Sequence, residues 1–108
     1  MKVSAAQLPG ERSRSFVGVD RGAGLTLILV DTAPGAGPRL HRHPYEEVFV
    51  VRAGEATFTV GDEEIAAQPD DILVVPPRTP HKFVNTGSDA LRMTAIHHAP
   101  AFDTEWLE

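Results

Sequence analysis

Glycine and proline, nine of each in 108 residues, fall between short apolar runs along the whole chain. That punctuation constrains the fold more than any other feature. Proline inside a helix removes a hydrogen bond and clashes with the preceding turn, and each interior glycine costs about 1 kcal/mol, so long helices are disfavoured. No segment sustains an apolar period of 3.6 residues. The runs instead predict nine short strands: Ser15–Val19, Leu25–Asp31, Arg39–His43, Glu47–Arg52, Glu55–Val60, Glu63–Ala67, Ile72–Val75, His81–Thr86 and Leu91–His97. Nine strands in one small domain must close or double over to bury their apolar faces and protect their edges. The expected fold is all-β, a barrel or two-sheet jelly roll. The chain is long enough for one core, so residues 1–108 form one domain.

The two ends are less determined. The first fourteen residues are polar and suit either a loose arm or a strand lent to a partner. The tail, Ala101 to Glu108, suits one helical turn or an extended cap over the barrel. Ten Lys and Arg against fifteen Asp and Glu give a formal charge of −5, which argues against a nucleic-acid partner. The same charge is ordinary for a soluble small domain and identifies no acidic-substrate enzyme. The longest apolar stretch, Leu25–Val30, is interrupted by Thr26 and falls far short of the ~20 residues of a spanning helix. With no apolar signal region after Met1, the chain is expected to be cytoplasmic and free of the membrane. Cysteine is absent, so any metal must be held by His, Asp or Glu.

The five histidines carry the functional signal. His41, His43 and Glu47 stand at i, i+2 and i+6, on one face of a strand if the pleat continues through Pro44. A bend at His43–Pro44 would instead help fold the Glu47 carboxylate back toward the imidazoles. Glu46, of opposite parity, points away. His81 follows a segment stiffened by Pro76, Pro77 and Pro80, which places its imidazole reproducibly. Three imidazoles and one carboxylate suit a divalent first-row ion and leave about two coordination positions open.

Gly35, five residues, His41-Arg42-His43, three residues, Glu47, six residues, Gly54 resembles the first motif of the cupins in full. Asp70, five residues, Pro76-Pro77-Arg78, two residues, His81, three residues, Asn85 resembles their second motif. The resemblance covers about residues 35–85. It implies a small double-stranded β-helix with metal ligands at His41, His43, Glu47 and His81. Two positions depart from the pattern: Asp70 and Arg78 stand where the motif usually has glycine. Both glycines serve turns, so the departures touch loop conformation and leave the ligand set intact. A chance H-x-H-x3-E-x6-G is on the order of 10⁻⁶ per start position at average composition.

Around the ligands, Arg39, Tyr45, Phe49, Phe83 and Met93 are candidate pocket residues by parity, with Arg39 a candidate clamp for an anionic group. Val51 and Phe58 are expected to line the barrel. Asn85 is expected to order backbone, and His97 is left largely outside the site. Family membership fixes no reaction. One reading is a metal-dependent enzyme of dioxygenase or isomerase type acting on a small molecule, with Glu47 as a base. The alternative is a non-catalytic metal-dependent binder or sensor; a third has the ion only bracing the barrel. One divalent ion is implied, and iron, manganese, nickel, copper, cobalt and zinc all suit the ligands. The family's habit of pairing sheet edges implies a homodimer.

Overall fold

The computed structural model describes residues 1–108 and consists almost wholly of strands. In chain order these are β1 (Arg14–Phe16), β2 (Thr26–Thr32), β3 (His41–Arg42), β4 (Glu47–Ala53), β5 (Ala56–Val60), β6 (Glu63–Ala67), β7 (Ile72–Val75), β8 (His81–Asn85), β9 (Leu91–His97) and β10 (Glu105–Trp106). Single 3₁₀ turns at Ala5–Gln7 and Gly18–Arg21 are the only helical pieces, and no helix is long and apolar enough to cross a membrane. The strands form two antiparallel five-stranded sheets, ordered β1-β2-β9-β4-β7 and β10-β3-β8-β5-β6. This is the expected jelly-roll arrangement. β6, β7 and β9 have the bounds read from the sequence.

Strict alternation builds the core. In β9, Leu91, Met93, Ala95 and His97 are buried while Arg92 faces water; in β4, Glu47, Phe49 and Val51 are buried. Facing them from the other sheet are Ala56, Phe58 and Phe83. Phe49, Phe58 and Phe83 meet with ring centroids 4.9 to 5.8 Å apart, in tilted and edge-to-face contacts that add to their burial. Gly54, between β4 and β5, has φ +86°, and a Cβ there would sit 2.6 Å from the Ala90 carbonyl oxygen. Only glycine fits that turn without backbone movement.

Two strand bounds need correction, and the two chain ends take definite forms. β1 ends at Phe16, because Gly18–Arg21 turns to bring the Gly18 N–H to the Thr26 hydroxyl. β3 is two residues rather than five: Pro44 has no N–H to donate, and the chain leaves the sheet at His43. The N-terminal segment lies against its own barrel. Leu8 is buried, its carbonyl accepts from Arg14, and Arg12 pairs with Asp31 at 2.8 Å. The tail is an extended cap, with β10 pairing to β3 and a bidentate Arg42–Glu105 contact at 2.8 and 3.1 Å. The two residues at glycine positions of the second motif, Asp70 and Arg78, are the only non-glycine residues with positive φ, at 74° and 62°. Each carries roughly 1–2 kcal/mol of backbone cost that glycine would not.

Candidate metal centre

The chain crosses from one sheet to the other between His41 and Glu47, so the first motif spans the gap between them. His41 sits on β3 and Glu47 on β4, with the bend at His43–Pro44 between. The bend, rather than a continuous pleat, turns the carboxylate back toward the imidazoles. Register does the rest. His41 pairs with His81 across β3 and β8, and Glu47 pairs with His97 across β4 and β9.

One ligand atom from each of His41, His43, Glu47 and His81 lies within 4.8 Å of the others, and all four residues are buried. Each of the three rings is fixed through Nδ1. His41 Nδ1–H donates to the Arg39 carbonyl at 2.7 Å, His43 to that of Asp103 at 2.9 Å, and His81 to that of Thr79 at 2.8 Å. A carbonyl only accepts, so these bonds set the tautomer and aim each Nε2 lone pair inward. Arg78, in its left-handed conformation, donates its N–H to the His43 carbonyl at 2.7 Å and ties the second motif to the first.

The donor set fits a cation. Both nitrogens of His81 face acceptors: Thr79 O on one side and Glu47 Oε1, at 3.0 Å, on the other. His43 Nε2 lies 3.2 Å from the same oxygen, buried and off hydrogen-bond alignment. A neutral imidazole has one proton to give, so these rings need extra protons or a positive ion among the lone pairs. Ligands about 2.1 Å from an ion, at right angles, stand about 3.0 Å apart. The His81–Glu47 and His43–Glu47 separations of 3.0 and 3.2 Å match, and all four ligand atoms lie within 4.8 Å of one another. The residues could therefore hold a divalent metal ion.

Sequence reasoning missed His97. It is buried beside the carboxylate, with Nε2 3.0 Å from Glu47 Oε2, and Tyr45 Oη bonds its Nδ1 at 2.7 Å. Asp103 N–H donates to the same hydroxyl, and His97 Nε2, like His43 Nε2, is buried without an aligned hydrogen-bond partner. His97 thus lies against the second carboxylate oxygen and adds a fourth imidazole to the cluster. The signal was present in the alternation Leu91, Met93, Ala95, which His97 continues.

Charge follows from this packing. Burial would raise the Glu47 carboxyl, but contacts with His43, His81 and His97 outweigh it and hold the group far below the usual carboxylate range. Burial lowers His41. It also acts to lower His43, where Glu47 and the Asp103 carbonyl reverse the balance and raise it. Burial is the main cause of a Tyr45 hydroxyl pushed up to about 12, so it stays protonated.

The cluster opens onto a cavity of about 680 Å³ between the sheets, whose lining includes His41, His43, Glu47 and His97. Of the expected pocket residues, Phe49 and Phe83 line it. Met93 is in the core and Tyr45 stacks on His43 at 4.9 Å, both outside the lining. Arg39 does not reach the cavity; its guanidinium lies 5.1 Å over the Trp106 ring, leaving no anion clamp there. Asn85 bonds the carbonyls of Thr32 and Asp89, the backbone-ordering role expected of it.

The Cupin_2 family, described as Cupin domain, matches residues 28–97, well over half of the chain. The chain is a cupin. By sequence this cupin is similar to the uncharacterised protein MJ1618 of Methanocaldococcus jannaschii, 32% identical over 77 residues that make up 68% of this chain and 62% of that protein. It thus spans about three fifths of that relative's length. Among solved structures it is similar to a conserved protein with a double-stranded β-helix domain from Klebsiella pneumoniae, with TM-score 0.72, 20% identity, and coverage of 79% of this chain and 76% of that one. It is also similar to an oxalate decarboxylase variant from Bacillus subtilis, with TM-score 0.81, 22% identity, and coverage of 97% and 30%. At these identities the structural likeness shows the cupin fold.

Proposed function

We propose that this cupin binds one divalent transition-metal ion on His41, His43, Glu47 and His81 and acts on a small organic molecule in the cavity, as an enzyme of dioxygenase or isomerase type. One observation carries the reading: a buried three-histidine, one-carboxylate cluster, with its rings oriented from behind, faces a cavity large enough for a substrate. An ion bound there supplies Lewis acidity and, if redox-active, oxygen activation. The chain's own part is positioning. Backbone carbonyls hold the imidazoles, the tail supplying that of Asp103, and His97, bonded to Tyr45, lies against the carboxylate. Glu47 is the one carboxylate of the cluster, and it would act as a base only on leaving the ion. The test is elemental analysis of the purified protein, followed by oxygen uptake and metabolite conversion. One equivalent of metal with turnover is expected; ligands bound unchanged under every metal would favour a carrier or sensor.

The same reading extends to assembly as a homodimer. β7 is an edge strand with unpaired backbone, and its outward side chains Ile72 and Val74 are 64% and 57% exposed beside Val50 and Val48 of β4. An apolar, unpaired edge is a site for pairing. Sedimentation is expected to show a dimer that Val74→Lys converts to monomer; a monomer at all concentrations would refute it.

A further inference from the structure

The chemistry of the cavity wall restricts what can occupy it. Apart from the candidate ligands and His97, its charged lining consists of Arg12 and Asp31, which neutralise each other at 2.8 Å. Arg39 is engaged with Trp106 on the outside, and no lysine lines the space. The rest is mainly apolar, led by Ile28, Val30, Phe49 and Phe83 from the sheets and Phe102 and Trp106 from the tail, with four serine and threonine hydroxyls among them. Phe102 stands edge-on to His97 at 5.0 Å and Trp106 lies 5.0 Å from His41, so two aromatic rings border the cluster. Both are partly exposed, a state of aromatic side chains that face a ligand space.

We infer that the occupant is a molecule with one oxygen-bearing head for the metal cluster and a flat apolar body packed between the sheet wall and the Phe102–Trp106 rings, and that small dicarboxylates are poor ligands. The head rests on the metal site proposed above; the body rests only on the wall. A dicarboxylate's oxygens beyond the cluster would face mainly apolar surface and an Arg12 already paired with Asp31, and desolvating an unpaired carboxylate is costly. An aryl body gains by burial instead.

Trp106 is the only tryptophan, so its fluorescence reports on this wall alone. The probes are benzohydroxamate, acetohydroxamate and oxalate, titrated against the purified full chain by Trp106 fluorescence and calorimetry, before and after stripping with chelator. Benzohydroxamate is expected to bind at least about tenfold more tightly than acetohydroxamate, the return on burying a phenyl ring, and oxalate more weakly than benzohydroxamate. Phe102→Ala is expected to weaken benzohydroxamate several-fold and leave acetohydroxamate unchanged. Stripping should weaken both hydroxamates and preserve their order. Oxalate binding as tightly as benzohydroxamate, or equal affinity for the two hydroxamates, would overturn the inference. If elemental analysis finds no metal, the metal reading fails by itself, and the aryl preference of the protein still decides this inference.

Discussion

The double variant His41→Ala, Glu47→Ala is expected to lose all metal retention after dialysis while keeping the far-ultraviolet circular dichroism of the barrel. Two of four ligand atoms go, and the two remaining imidazoles hold an ion far too weakly to survive exchange. The fold survives because the carboxylate leaves too. Removing histidines while Glu47 stays would strand a buried charge, a change that costs about 3–5 kcal/mol. Without Glu47, the remaining rings can be neutral. One equivalent of metal still bound to the double variant would show the ligand assignment to be wrong. A single Glu47→Gln variant gives a second readout on the metal-free protein. The Glu47 carboxyl is held below its ordinary value of 4.5, so its contribution to stability is present above about pH 4.5 and is lost progressively as pH falls below it. Glu47→Gln should flatten that decline. The histidines act in a separate window and oppose each other: His43, raised above 6.5, adds stability on the acid side, and His41, lowered, removes it. Urea unfolding midpoints across the pH range measure both.

Phe58→Ala is expected to produce the largest loss of stability, about 3–5 kcal/mol, the range for emptying a buried aromatic site. Phe58 is fully buried, and its ring contacts Phe49 at 4.9 Å and Phe83 at 5.3 Å. Both neighbours line the cavity, so the hole opens behind the cavity wall and the two rings lose their support. A domain this size should melt at least about 12 °C lower. Val84→Ala, on the outward face of the adjacent strand β8, should cost under about 1 kcal/mol in the same thermal scan. Equal losses at the two positions would mean that the core is not where the alternation puts it.

Local patterns were legible in the chain and distant pairings were not. Strands such as Ile72–Val75 and Leu91–His97 announce themselves by two-residue alternation between turn residues, a property of the segment alone. The four candidate ligands were legible because the motif spacing carries them. The tail was not, because its extended form depends on β3, some sixty residues earlier, offering an edge to Glu105 and Trp106. Arg39 was misplaced for the same reason: its partner is Trp106, which no local pattern brings near. His97 is readable from Leu91, Met93 and Ala95, whose alternation it continues, while the exposed ring of its neighbour His98 makes only a 3.4 Å contact with Glu46.

The clamps behind the ligand rings come from widely separated stretches of the chain: Arg39 for His41, Thr79 for His81, and Asp103 for His43. No fragment carries the whole shell, and its last clamp is in place only when the tail has docked. Capture of an ion by this shell is therefore a late event in folding, after the most distant segments have met. An ion bound there would add to the stability of the finished barrel and give nothing to its partly assembled forms. Metal uptake becomes a clock for maturation, and a chain truncated before Asp103 would keep most of its strands yet hold its ion less securely.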